Sequence, residues 1–342
     1  MARTTVYNTI THKEELAKVL PQNITLMDDF LDYLQSIGRA ETTIAQYKND
    51  LKIFWIWNLE NNDNKEFSKI TKREFARFQN HCLNVWGWSP NRVRRVKSTL
   101  SSLSNFIENI LDEEPEYEGY RAVVRKIENP VKELVREKSV FEPEELQALL
   151  DHLVDNGEYL KACVLALAMY SGRRKSELLR FKVSYFSEEN VCFGSLYKTP
   201  EKVKTKGRGK GKMLYLYVLK KDFDPYLELW LKQREELGID SEWLFPDKND
   251  STKQMNQYVV NGWVKEFSDF LGNDFYFHST RHYYCTQLLK KNLPASVVQE
   301  IMGWDSADMV NLYNDASTDD MLAMYFDENG IKEIEKKDIG DI

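Results

Sequence analysis

Apolar residues recur at helical spacing through the first third of the chain. Met27, Phe30, Leu31 and Leu34 fall at i, i+3, i+4 and i+7, which is one face of an amphipathic helix. Ile44, Tyr47, Leu51 and Phe54 continue the pattern in a second helix, with Thr42 or Thr43 as its candidate cap. Phe75, Phe78 and Cys82 mark a third helix that begins near Thr71. Ser89-Pro90 puts a proline at a helix start, where its missing N–H leaves no bond unmade, and Val93, Val96, Leu100 and Leu103 carry that helix onward. Residues 23–130 therefore predict a bundle of about four helices, preceded by a short mixed segment, 1–22. Trp55, Trp57, Trp86 and Trp88 are assigned to its core.

Asn129-Pro130 interrupts the periodicity, and the charged stretch 131–139 reads as a linker. Phe141-Glu142-Pro143 opens a second region, 140–342. Its helical pattern runs through Leu146, Leu149 and Leu150, then over 160–170, and stops at Ser171-Gly172. Residues 191–212 contain four glycines and no helical period, and 213–218 (M-L-Y-L-Y-V) are β-prone. That combination predicts a small β-hairpin or three-stranded sheet. Helical patterning resumes at Pro225. The fold class expected is mainly α with a small β-sheet or hairpin, in two domains, without repeats or low-complexity tracts.

Composition narrows the class. A length of 342 residues is enough for two domains. No stretch approaches the roughly 18 consecutive apolar residues of a membrane span, and no charged segment followed by an apolar one marks a signal peptide. No membrane association is expected; the expected location is cytoplasmic, on the nucleoid. Cys82, Cys163, Cys192 and Cys285 form no C-x-x-C pair and read as reduced, mostly buried thiols. The formal net charge of −7 argues at first against a polyanionic partner. Its distribution weakens that objection. Between residues 198 and 221 nine Lys or Arg face a single acid, Glu201, and a second cluster comprises Arg92, Arg94, Arg95 and Lys97. The excess acid lies in 112–118, in 142–145 and after residue 319, and the local field, more than total charge, steers a polyanion.

Three short segments carry candidate chemistry. Residues 171–179 read S-G-R-R-K-S-E-L-L, 278–282 read H-S-T-R-H, and 302–313 read M-G-W-D-S-A-D-M-V-N-L-Y. In order and spacing they resemble the three boxes of the tyrosine recombinases, the phage integrase family. Those boxes are G-x-R-x-x-E-L, H-x-x-R, and L-G-H/W followed nine residues later by tyrosine. The resemblance covers about residues 140–320 by motif and 24–110 by architecture alone.

The chemistry accounts for the residue types. Breaking a phosphodiester without a metal needs a nucleophile, an acid for the leaving 5′-oxygen, and fixed cations for the charge on the pentavalent phosphorus. The resemblance implies Tyr313 as nucleophile, with Arg174 and Arg281 clamping the scissile phosphate; a guanidinium stays charged and donates two parallel bonds. Arg173 adjoins Arg174, and the G-x-R spacing favours the latter. Glu177 would orient Arg174. His278 would assist proton transfer at the tyrosine or bind phosphate. His282 has no counterpart and reads as a packing residue. Trp304 stands where many relatives carry a second histidine; its indole N–H can donate to phosphate but cannot shuttle a proton. The general-acid lysine belongs to the hairpin, where counting back from the β-prone strand favours Lys206, with Lys204 and Lys198 as alternatives. Arg208, Lys210 and Lys212, with Lys204, would be backbone contacts, which position DNA without reading it.

The same resemblance implies a helical core-binding (SAM-like) domain and a catalytic domain closing as a two-domain C-shaped clamp on double-stranded DNA. Arg92, Arg94, Arg95 and Lys97 would contact phosphate or a groove. It further implies specific recombination sites, a homodimer on each site, a tetramer in the synapse, and a 3′-phosphotyrosyl intermediate, with no cofactor and no metal. A directionality factor is left open. The C-terminal tail, containing Met321, Leu322, Met324, Tyr325 and Phe326, would dock into a neighbouring subunit or fold back onto its own. The rival readings are a type IB topoisomerase-like relaxing enzyme, a catalytically inactive DNA-binding relative, and a metal nuclease; no Asp/Glu/His cluster has ligand spacing for the last.

Overall fold

The computed structural model describes residues 10–132, 141–205, 211–306 and 308–313, together with two short paired strands at Phe326–Asp327 and Gly330–Ile331. The chain divides between residues 137 and 138 into two compact units.

In the first unit a short α1 (Lys13–Leu16) precedes α2 (Pro21–Ser36), α3 (Glu41–Asn61), α4 (Lys72–Asn84) and α5 (Pro90–Ile110). The apolar faces read from the sequence turn inward: Met27, Phe30, Leu31, Leu34, Leu51, Phe54, Phe75, Phe78, Val93, Val96, Leu100 and Leu103 are all buried in one cluster. Phe54 sits at its centre, edge-on to Phe78 at 4.9 Å between ring centroids and stacked on Phe75 at 5.5 Å. Thr71 caps α4 with a reciprocal capping box to Glu74, and the Ser89 hydroxyl accepts from Arg92 N to cap α5. Neither Thr42 nor Thr43 caps α3. The helix starts earlier, at Glu41, with Ala40 as its N-cap, and Thr43 N already donates to Ala40 O at 2.8 Å. Trp55, Trp57 and Trp88 are buried, and Trp86 is half-buried against the same cluster.

In the second unit α6 (Pro143–Asp155) leads to α7 (Tyr159–Ser171), whose residues 162–169 are buried on every side. A helix apolar all round must be enclosed, and α7 is the axis against which α6, α9 (Lys220–Glu236) and α11 (Ser279–Lys290) pack. It ends at Gly172, whose φ of +60° turns the chain into the short α8 (Lys175–Leu178). Strands β1 (Val191–Cys192), β2 (Leu196–Lys198) and β5 (Tyr217–Leu219) form an antiparallel sheet in the order β1-β2-β5, and β3 (Val203–Lys204) pairs with β4 (Met213–Leu214) as a separate hairpin. The stretch 213–218 is thus not one strand. Leu216, fully buried, exchanges bonds with Thr199 (3.0 Å each way), and this switches the chain from the hairpin to the sheet. Helix α9 likewise begins at Lys220, before Pro225, which lies inside it. Helices α10 (Gln257–Leu271), α11, α12 (Ala295–Met302) and α13 (Asp308–Tyr313) complete the unit; β6 (Phe326–Asp327) and β7 (Gly330–Ile331) are the late strands.

The four cysteines form no disulfide; Cys192 is half-buried and the others are buried. The linker residues 133–139 and tail residues 321–325 lie outside the described residues. Among the described residues no helix is long and apolar enough to cross a membrane, and no cluster of three or more His, Cys, Asp or Glu could hold a metal ion.

Candidate active site

Four chain turns converge in the second unit. His278 is the N-cap of α11, so His278, Arg281 and His282 share the first turn of that helix. Helix α12 stops at Gly303 (φ +69°), and Trp304 follows it. Helix α13 then returns Tyr313 to the start of α11. Arg173 and Arg174 leave α7 directly after Gly172.

The end of α12 organises the cations. Arg173 donates to the carbonyl of Ile301, Arg281 Nη2 to that of Met302 at 2.8 Å, and Lys212 Nζ to that of Gly303 at 3.4 Å. Three successive carbonyls at a helix C-terminus, where the macrodipole is negative, therefore hold three positive side chains from three different elements. Arg281 also donates to Gly172 O at 2.6 Å and is completely buried. Burial, with Arg174 and Arg173 nearby, pushes its guanidinium down to about 10, which leaves it cationic at neutral pH. Its guanidinium donates to two neutral carbonyls, and the buried Glu177 carboxylate stabilises its charge from a distance.

Arg174 is part-exposed and pairs with buried Glu177: Nη1 to Oε1 at 3.0 Å, with Arg174 N donating to Oε2 at 3.1 Å. The carboxylate fixes the arginine at two points. Arg173, by contrast, is buried, and its Nε donates to Ser171 O at 3.2 Å.

Tyr313 is buried, and its hydroxyl lies 2.5 Å from His278 Nε2. Its ring stacks on His282 (centroids 4.3 Å apart, planes 20° apart) and leans against Trp304 at 4.8 Å. The Arg281 guanidinium carbon stands 5.0 Å from the Trp304 ring centre and 5.8 Å from that of Tyr313. The Arg281 Nε and the Trp304 indole N–H are buried without a hydrogen-bond partner among the described residues. Two unsatisfied donors beside a phenol and a histidine form a set that an oxyanion would complete.

Arg174, Glu177, His278, Arg281, Trp304 and Tyr313 are thus brought together. Lys204 lies on β3 with an exposed side chain, and its carbonyl accepts from Arg180. Lys198 lies on β2 in the neighbouring sheet, over the Tyr215 ring. Lys206, Arg208 and Lys210 fall outside the described residues. In the first unit Arg92 lies over the Trp88 ring at 4.0 Å, Arg94 donates to Pro130 O at 2.9 Å, Arg95 pairs with Asp50 at 3.1 Å, and Lys97 donates to Ile127 O. All four therefore have work within their own unit. Sequence reasoning missed Arg173 as the buried partner of α12 and Asp305 as the partner of Lys212 (2.5 Å). Only the adjacency of Arg173 to Arg174 signalled the first, and nothing signalled the second.

The phage integrase family matches residues 139–319, and the phage integrase N-terminal SAM-like domain matches residues 26–116. An SPbeta prophage-derived recombinase-like protein of Bacillus subtilis (strain 168), YomM, is 31% identical over 250 residues, 72% of each chain. A tyrosine recombinase of Thermosipho africanus is 24% identical over 305 residues, 84% of this chain and 94% of its own. Two solved structures share the fold. A lambda integrase dimer bound to a COC′ core site has a TM-score of 0.62 at 16% identity, over 92% of this chain and 99% of its own. XerH bound to palindromic difH substrate in a post-cleavage complex has a TM-score of 0.62 at 17% identity, over 89% and 95%. The chain belongs to the phage integrase family and is a tyrosine recombinase.

Proposed function

We propose that this site-specific DNA recombinase cuts one strand of its target through Tyr313 and carries the strand as a 3′-phosphotyrosyl ester. The observation that carries the reading is the 2.5 Å contact between the Tyr313 hydroxyl and His278 Nε2 within one chain, beside the buried Arg281. A phenol is a weak nucleophile until a base or cations polarise it. His278 takes its proton as Tyr313 Oη bonds to phosphorus. Arg174 and Arg281 bind the non-bridging oxygens, Glu177 keeps Arg174 in place, and the Trp304 N–H donates a further bond. A hairpin lysine, Lys206 by its place in the sequence, protonates the departing 5′-oxygen. A 5′-hydroxyl from a second duplex then reverses the step, and the ester retains the energy of the phosphodiester, so no nucleotide is consumed.

In this reading the first unit is the core-binding domain and the second the catalytic domain. The partner is double-stranded DNA bearing specific sites, bound by a dimer and synapsed by a tetramer. A lambda integrase tetramer on a Holliday junction shares the fold. Activity belongs in the cytoplasm, on the nucleoid, and the similarity to a prophage-derived protein supports a mobile element as the setting. A directionality factor would set the balance between integration and excision.

The test uses a nicked duplex selected by the chain from a random-sequence pool. Wild type should give a DNA-linked band in a denaturing gel. Tyr313→Phe should bind the same duplex and give none; an adduct that survives the substitution refutes the assignment.

A further inference from the structure

Two buried arginines cross the same seam of the second unit. Arg281, from α11, donates through Nη1 to Gly172 O at 2.6 Å and through Nη2 to Met302 O at 2.8 Å. Arg173 donates through Nε to Ser171 O at 3.2 Å and through Nη2 to Ile301 O. The acceptors are consecutive on each side: Ser171 and Gly172 close α7, and Ile301 and Met302 close α12. The two guanidiniums are therefore neighbouring rungs between the same two helix ends, and they are 1% and 0% exposed. The seam has no slack. An added Cβ at Gly172 would collide with the Tyr284 ring, and one at Gly303 would collide with Leu214.

Arg281 has both Nη groups on carbonyls, so the donor it has left is Nε, buried without a partner among the described residues. A planar guanidinium held at both ends turns only as its two acceptors move. The direction of the Nε–H is thus set by the distance between the α7 and α12 ends, and Arg173 fixes that distance one residue along. Burial opposes the charge on Arg173, and its proximity adds to the cost of the charge on Arg281. An apolar side chain of similar length would fill the space without either penalty. What the fork adds is geometry.

We propose that Arg173 is a positioning residue for strand cleavage, holding the α7 and α12 ends at the spacing that points the Arg281 Nε–H at a non-bridging oxygen of the scissile phosphate. The inference rests on Tyr313 being the nucleophile and Arg281 a phosphate ligand. Arg173 itself touches no DNA and moves no proton. A lysine in its place keeps the charge but offers one donor nitrogen and no fork, so it does not reproduce the rung.

The experiment makes Arg173→Lys and Arg173→Met in the full chain, each alone and together with Arg281→Lys. Single-turnover adduct formation and DNA affinity are measured on the selected nicked duplex. Both Arg173 substitutions should slow adduct formation about tenfold or more, part of what losing an oxyanion donor costs, with affinity within about threefold of wild type. In the Arg281→Lys background, where the Nε–H is already gone, the same substitutions should change the rate by no more than about twofold. Losses of equal size in both backgrounds, the mark of general damage to the fold, overturn the proposal. So does a loss of affinity that matches the loss of rate. An Arg173→Lys chain at the wild-type rate also overturns it, because charge without the fork would then suffice. Should the methionine variant fail to fold, the lysine variant decides alone. A wild-type chain that forms no adduct overturns the Tyr313 reading instead, and that result is read before any variant is made.

Discussion

His278 Nε2 lies 2.5 Å from the Tyr313 hydroxyl, although 35 residues separate them in the chain. The contact arises because His278 caps the start of α11 and Tyr313 ends α13, the two helices being packed together. The tyrosine ring stacks on His282 and leans against Trp304. Both groups come from one polypeptide.

His278→Ala should therefore slow adduct formation about a hundredfold, the usual contribution of a positioned base, while leaving DNA affinity within a few-fold of wild type. Single-turnover cleavage and a gel-shift titration on the same duplex separate the two. Equal losses of rate and affinity would make His278 a phosphate ligand instead.

Trp304 contributes a donor and a ring wall, and these can be pulled apart. Trp304→Phe keeps an aromatic surface against Tyr313 but removes the buried indole N–H, which has no partner among the described residues. Losing one such donor to a developing oxyanion should cost about 100–1,000-fold in cleavage rate. Trp304→His, which restores a donor, should recover most of it. If phenylalanine matches wild type, the N–H has no part in the reaction.

The helical part of the fold was legible because periodicity records packing. Leu51 and Phe54, or Val93 and Val96, face the core where a 3.6-residue repeat places them, and the Thr71–Glu74 box marks a helix start by local chemistry alone. The β region was only half legible. Alternation over 213–218 suits one strand, but Leu216 is buried by its bonds to distant Thr199, and that splits the run between two sheets. At the site, the resemblance to the family's three boxes pointed to residues that do lie close together, and each box begins or ends a helix. It could not reveal that Arg173 turns inward to Ile301 O, or that Lys212 pairs with Asp305 across 93 positions. Those contacts depend on how α12 lies against α7 and the hairpin, and local sequence carries no record of it.

Gly172 joins the fold to the site, and substitution there should show it. With φ at +60°, an added Cβ would collide with the Tyr284 ring and sit 3.1 Å from Met302 Sδ. Gly172→Ala should destabilise the chain by about 2–3 kcal/mol through backbone strain and overpacking, and should shift the carbonyl that holds Arg281. Thermal denaturation and the cleavage rate should fall together. A stable but inactive variant would mean that the collision is absorbed locally by Arg281.

Arg95 offers a comparable test in the first unit. It pairs with Asp50, which is buried and also accepts from Thr99 Oγ1 and Gln46 Nε2. Burial raises the Asp50 carboxyl above its usual range, and the Arg95 charge pulls it part of the way back. Arg95→Ala should therefore lower stability by about 1–3 kcal/mol, the cost of stranding a buried carboxylate beside a half-exposed partner. Arg95→Ala combined with Asp50→Asn should recover much of the loss. If Arg95 acts on DNA alone, its removal will weaken binding and leave the melting temperature unchanged.

Glu74 gives the pH dependence a definite sign. Burial alone would raise its carboxyl, but bonds from Lys65, Thr71 N and Thr71 Oγ1 outweigh that and hold it at about 2, against a usual 4.5. A carboxyl whose folded value is depressed stabilises the fold above its unfolded value and loses that contribution as pH falls toward the folded one. Glu74→Gln keeps the shape of the capping box without the charge, and should cost about 2 kcal/mol near neutral pH, the range for hydrogen bonds to an ionised group. The gap in melting temperature between variant and wild type should stay constant above about pH 5 and close progressively from 4.5 toward 2. A gap that persists undiminished to pH 3 would show that the bonds to Thr71 depend on shape, with the carboxylate charge contributing nothing.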